Sequence, residues 1–226
     1  MNIAIIPARG GSKRIPQKNI KIFCGKPIIA YSIEAALTSG CFDRVIVSTD
    51  NQEIADIALK YGAEVPFLRP AHIAGDFATT IEVVQHAIMA LSLEEPTLIC
   101  CIYATAPFVT STSLAVGREM LVAENLDYCF SATEFSFPIQ RAFRLNDTGR
   151  VEMFQPENYK VRSQDLEPAY HDAGQFYWGT CQAFSSGKVI FSNNVKPVVL
   201  NASQVQDIDT LDDWNKAEFL YELLQR

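Results

Sequence analysis

A glycine pair set among cations is the first feature of this 226-residue chain that could do chemistry. Ala8, Arg9, Gly10, Gly11, Ser12 and Lys13 are followed by Arg14, Lys18 and Asn19, and no acidic residue precedes Glu34. Paired glycines let backbone N–H groups approach an anion closely, and flanking cations neutralise it. The whole chain carries 19 basic against 26 acidic residues, a net charge of −7. A net-negative protein with an acid-free basic opening implies a local site for a small polyanion. It argues against nucleic acid or an anionic membrane as partner. Neither G-x-x-x-x-G-K-[ST] nor G-x-G-x-x-G occurs, which weighs against a P-loop kinase and a nicotinamide oxidoreductase.

A second cluster lies far along the chain, at Asp207 and Asp209. In an extended segment these side chains point to the same side, so two carboxylates can share one hard cation. Asp209 or Thr210 also suits the cap of a final helix, with Asp213 completing a capping-box start. Both readings can hold together. A third cluster is Leu68-Arg69-Pro70, followed by Asp76, Thr79 and Thr80. Taken alone it reads as surface charge and a helix N-cap. No G-x-S-x-G elbow marks a serine hydrolase, and His72, His86 and His171 have no i,i+4 partner for zinc. Six cysteines without CxxC spacing read as reduced thiols in a cytoplasmic protein.

The elements that must position these residues follow from hydrophobic period. Residues 2–7 form an apolar run short enough for a strand buried on both faces. A helix opening at Pro27, a strand at 45–49 and a helix capped by Asp50 or Asn51 come next. Helices at 79–91 and 111–123 then alternate with strands at 98–103 and 128–132. Such alternation predicts an α/β fold, a mostly parallel sheet with helices on both faces. Ligands then bind at the carboxyl ends of the strands, where Arg9, Asp50 and Thr105 fall. Residues 135–170 break the rhythm and read as an excursion, a hairpin or arm. Residues 175–183 and 196–200 read as returning strands, and a helix over 211–224 closes the chain. With no long apolar run and no signal-peptide layout, the expectation is a cytoplasmic protein.

The Arg9-Gly10-Gly11-Ser12-Lys13 string, with Pro16, Lys18 and Asn19, resembles the nucleotide-binding signature of the CMP-sugar synthetases. These cytidylyltransferases activate sialic acids and related acidic keto-sugars. The resemblance implies a three-layer, Rossmann-like nucleotide-diphospho-sugar transferase fold in a single domain. It implies that Ala8 to Lys13, Lys18 and Asn19 hold the triphosphate of CTP, with Lys18 stabilising charge on the α- and β-phosphates. Arg69, Asp76, Thr79 and Thr80 then lie near the cytidine, and Asp207 and Asp209 bind Mg²⁺. Arg9, Lys13, Lys18, Asp207 and Asp209 form the implied catalytic set. The excursion resembles the family's dimerisation arm, which implies a homodimer.

On the acceptor side the chain departs from the sialic acid members. Their Gln-Pro-Thr-Ser-Pro-Leu-Arg stretch appears here as Tyr103-Ala104-Thr105-Ala106-Pro107-Phe108-Val109, and their sugar-binding Lys becomes Gln140, followed by Arg141. Their Arg-Pro-Asn-Gly-Ala-x-Tyr becomes His171-Asp172-Ala173-Gly174-Gln175-Phe176-Tyr177. These strings, with Arg162-Ser163-Gln164, resemble the pseudaminic acid cytidylyltransferases of the family. The implied acceptor is that acidic nine-carbon sugar, activated for surface glycan or flagellin glycosylation. Arg141 or Arg162 would pair with its carboxylate. Gln140, Gln164 and Gln175 would bond its amido groups, Tyr103, Phe176 and Tyr177 would pack its apolar parts, and Thr105 and His171 are further candidate contacts. Sialic, legionaminic and keto-deoxy-octulosonic acid stay open as acceptors, as does a non-catalytic nucleotide-binding regulator.

Overall fold

In the computed structural model, which describes residues 1–75 and 78–225, the first apolar run is strand β1, Asn2–Pro7. Its side chains alternate between two cores: Ala4 and Ile6 join one cluster, Ile3 and Ile5 the other, all fully buried. That double burial fixes β1 in mid-sheet. The short strands β2 (Ile22–Phe23) and β3 (Lys26–Pro27) pair antiparallel and lead into α1, Ile28–Thr38. Pro27 is the residue before this helix, extended at ψ 136°, rather than its first turn. Strand β4 (Arg44–Ser48) precedes α2 (Gln52–Lys60), whose cap is Asn51: its side chain accepts the Ile54 N–H at 3.1 Å. Helix α3 (Thr80–Ala90), β5 (Leu98–Ile102), α4 (Ser111–Ala123) and β6 (Tyr128–Glu134) continue the alternation.

The excursion contains the hairpin β7 (Phe143–Leu145) and β8 (Val151–Met153), most of it exposed. The chain re-enters as β9 (Tyr170–Thr180), then α5 (Cys181–Ser185), β10 (Val195–Leu200) and α6 (Leu211–Leu224). Strand β9 is longer than expected at its start and stops sooner. Thr180 accepts the Ala183 N–H at 3.0 Å and turns residues 181–185, read as strand from sequence, into a helix.

The main sheet runs β10-β6-β9-β5-β1-β4. Strand β9 lies antiparallel between β6 and β5, and the other three pairings are parallel. Side chains of α1, α2 and α4 pack on one face and those of α3 and α5 on the other, giving three layers. A third cluster joins Ile15, Phe23, Ile28, Ile208, Trp214 and Ala217. Ile15 follows the cationic turn, and Ile208 lies between the two aspartates; each is about 1% exposed. Lys21 also sits over the Trp214 ring, 4.4 Å from its centroid. Burial of these apolar residues is what draws the two distant charged clusters together.

Candidate active site

Where β1 ends, the Ala8 N–H donates to Ser48 O at 3.0 Å, so the turn starts from a rigid strand pair. Gly10 N–H donates to Asp50 Oδ1 at 2.9 Å, and a Cβ on Gly10 would stand 2.9 Å from Asn51 Nδ2. Glycine is therefore demanded there by the α2 cap. Gly11 is different: a Cβ would meet nothing within 4 Å, so its backbone faces open space. The glycine amides are thus not equivalent. Gly10 N–H is held by Asp50 and Ser12 N–H by Gly10 O, which leaves Gly11 N–H to face a ligand. Lys13 lies exposed on the same turn.

A cleft of about 470 Å³ opens beside this turn, walled on one side by Arg9, Ser12, Lys18 and Asn19. Arg69 forms the facing wall, with Thr80, Tyr103 and Thr105 also lining the space. Asn19 is buried and donates its side-chain amide to Arg9 O at 2.9 Å, so it braces the turn. The Arg69 side chain is only 4% exposed and lies 4.0 Å from Asp50 Oδ1. Burial lowers its pKa, with Asp50 opposing, and neither Nε nor Nη2 has a hydrogen-bond partner. A buried guanidinium with idle N–H groups on a cleft wall is placed to receive acceptor atoms of a ligand. Asp50 thus serves both the glycine turn and Arg69; the sequence marked it only as the acid ending a strand.

Thr80 Oγ1 lies 3.3 Å from the Tyr103 hydroxyl. Thr79 is committed elsewhere, since its N–H and hydroxyl both donate to Glu82 in the α3 capping box at 2.7 and 2.9 Å. Asp76 lies outside the described residues.

The far aspartates meet the turn at Lys18. Its Nζ donates to Ile208 O at 2.7 Å and stands 3.5 Å from Asp209 Oδ1, to which Arg14 also donates at 2.7 Å. Thr210 and Asp213 make the α6 capping box, so the cap does not consume the Asp209 carboxylate. Burial pushes the Asp207 pKa up, and the Asp209 charge adds to it, with Lys18 opposing. Two crowded carboxylates of this kind fit a divalent cation, which relieves their repulsion. Among the described residues no group of three or more His, Cys, Asp or Glu could hold a metal alone. The donor set suits Mg²⁺, which takes one or two carboxylates and completes its shell with phosphate and water.

The expected acceptor contacts divide into three groups. Tyr103 and Thr105 line the cleft. Tyr177 is buried behind them, its ring 5.5 Å from that of Tyr103, and its hydroxyl donates to Asp172. His171 is exposed and packs on Phe135 at 4.7 Å. Gln175 is buried and donates to Gln204 O at 2.6 Å, which ties down the segment leading to Asp207. Phe176 must be corrected. It is fully buried in the core with Cys100, Leu114 and Trp178, on the opposite face of β9 from Tyr177. Gln140, Arg141, Arg162 and Gln164 sit on the arm, outside this chain's cleft. There Gln140 donates to Glu167 O, Arg141 to Val161 O, and Arg162 to Asp165.

Comparison with known proteins agrees with this geometry. A family model described as Cytidylyltransferase matches residues 3–208. The chain is 49% identical to the pseudaminic acid cytidylyltransferase of Campylobacter jejuni, over 98% of this chain and 97% of that protein. It is 34% identical to the CMP-N,N'-diacetyllegionaminic acid synthase of Legionella pneumophila, covering 99% and 97%. Among solved structures, a CMP:2-keto-3-deoxy-manno-octonic acid synthetase complexed with CTP superposes with a TM-score of 0.73 at 16% identity. That likeness covers 98% of each chain and speaks to the fold.

Proposed function

The chain belongs to the cytidylyltransferase family, and on that premise we propose that it couples CTP to pseudaminic acid, giving CMP-pseudaminic acid and pyrophosphate. The anomeric hydroxyl of the sugar attacks the α-phosphorus; a new O–P bond forms as the bond to pyrophosphate breaks. Negative charge spreads over the phosphoryl oxygens, so the chain contributes positioning and neutralisation. Arg9, Lys13 and Lys18 supply the cations, and Gly11 supplies a backbone donor. Arg69 recognises the nucleoside, beside Thr80. Asp207 and Asp209 would hold Mg²⁺, which when bound neutralises phosphate charge and acidifies the attacking hydroxyl. Tyr103 and Tyr177 face the acceptor.

The observation that carries this reading is the position of Lys18, which lines the nucleotide-sized cleft and contacts the Asp207–Asp209 segment at once. The arm supports a homodimer: Phe137 is 83% and Phe154 62% exposed, far more than a free apolar surface requires. In that assembly Arg141 or Arg162 serves the neighbouring subunit's acceptor site. No described helix is long and apolar enough to cross a membrane, in keeping with a cytoplasmic enzyme whose partners are CTP and the sugar.

Pyrophosphate release from CTP and Mg²⁺, with each acidic sugar in turn, tests the proposal. Release with pseudaminic acid supports it. Release only with legionaminic, sialic or keto-deoxy-octulosonic acid moves the acceptor and keeps the chemistry. CTP binding with no release from any sugar identifies a nucleotide-binding regulator instead.

A further inference from the structure

Strand β9 does something an ordinary strand cannot. Asp172 pairs with Ala132 and Tyr177 with Phe130, so two steps along β6 answer to five along β9. The intervening residues 173–176 form a bulge. Ser131 pins it: its hydroxyl accepts the N–H groups of Gln175 and Phe176 at 3.2 and 3.1 Å. Gly174 makes the fold-back possible at φ +62°. Asp172 Oδ1 accepts the Gly174 N–H at 2.8 Å, which fixes the carboxylate. In a regular strand, residues five apart stand roughly 16 Å from each other on opposite faces. Here the Tyr177 hydroxyl donates directly to Asp172.

That bond has a direction, and the direction has a consequence. An ionised carboxylate only accepts, so the Tyr177 proton points at Asp172 and the Tyr177 oxygen can only accept from elsewhere. Its neighbour is the Tyr103 phenol, which interacts with it and lines the cleft. A proton shared between the two phenols must then come from Tyr103, which turns the Tyr103 oxygen toward the cleft as an acceptor. Thr80 is the one printed hydroxyl neighbour on that side, at 3.3 Å.

We propose that Asp172 is a positioning residue that orients the Tyr177–Tyr103 pair, so that the cleft offers a phenol oxygen to an N–H or O–H donor on the acceptor sugar. The inference rests on the cytidylyltransferase reading above and adds a determinant of acceptor choice. Asp172 touches no substrate itself; it acts through two rings. Replacing the carboxylate by an amide lets position 172 donate to Tyr177, and the phenol chain can then run the other way.

The test is steady-state kinetics of pyrophosphate release with CTP, Mg²⁺ and the acceptor sugar for wild type, Asp172→Asn, Tyr177→Phe and the double variant. Asp172→Asn is expected to raise KM for the sugar on the order of tenfold to a hundredfold. KM for CTP should stay within about twofold and kcat should change far less than KM for the sugar. Tyr177→Phe removes a single oxygen, keeps the ring packing, and should give the same split. The double variant should be no worse than Tyr177→Phe alone, because one chain of bonds is broken in each case. Unchanged KM for the sugar, an equal rise in KM for CTP, or additive losses would overturn the proposal. Wild-type turnover in the same series judges the parent reading separately: an active wild type beside an unshifted Asp172→Asn sinks only the relay.

Discussion

Lys18 Nζ stands 3.5 Å from Asp209 Oδ1, joining the cationic turn after β1 to the acidic segment before α6. The ammonium is one-fifth exposed and also donates to Ile208 O. It is therefore held at the junction of the two clusters, and a nucleotide phosphate entering the cleft meets a cation that is already placed. Lys18→Ala should lower kcat by about 10²–10³, with CTP affinity reduced by less than about tenfold, measured by pyrophosphate release and calorimetry. Turnover within a few-fold of wild type would remove Lys18 from the charge-stabilising role.

The two glycines of the turn make opposite predictions. Gly10→Ala pushes a methyl into Asn51, the cap of α2, and should cost about 1–3 kcal/mol of stability in denaturant unfolding. Gly11→Ala meets no atom of the protein and should leave stability within about 0.5 kcal/mol, while weakening CTP binding. Equal stability losses at both positions would contradict the assignment of the open backbone at Gly11 to the ligand.

Asp207 predicts a pH effect whose sign follows from its surroundings. Burial, then the Asp209 charge, raises its pKa, so the folded chain keeps this proton at a pH where the unfolded chain has released it. Its contribution therefore favours folding as pH falls below the raised value, and turns against folding as pH rises through that window. Asp207→Asn should raise Tm at neutral pH on the order of 1–3 °C, a modest gain because the group is only half-buried and partly screened. The same change should cripple turnover, the trade expected where function keeps two like charges together. A lowered Tm at neutral pH would count against the crowded-carboxylate account.

The arm predicts an assembly. Light scattering should find a dimer, and Phe137→Asp combined with Phe143→Asp should give a monomer that still binds CTP, since both rings are exposed on the arm and neither lines the cleft. A monomeric wild type would reject the homodimer.

Much of this was legible in the sequence because it is local. Buried apolar runs marked β1, β4 and β5, and capping residues set the helix starts; Ser111–Ala123 matches its predicted span. The glycine turn and the paired aspartates were visible as residue types at fixed spacing. What was hidden depends on contacts between distant segments. The antiparallel entry of β9 between β6 and β5 leaves no mark in hydrophobic period. The bridge from Asp50 to Gly10 and Arg69 needs strand order to appear. Phe176 and Tyr177 looked alike as aromatics, yet alternation sends one into the core and the other toward the cleft. Asp172 drew no attention, because only the bulge brings it to Tyr177.

The most direct measurement is CTP binding by calorimetry, with and without Mg²⁺, for wild type and for Asp207→Ala combined with Asp209→Ala. If the cationic turn and the aspartate pair hold one nucleotide, Mg²⁺ tightens CTP binding to wild type. The variant should retain metal-free CTP binding and lose that tightening. Mg²⁺-dependent tightening that survives loss of both carboxylates would show that the two clusters do not act on the same ligand.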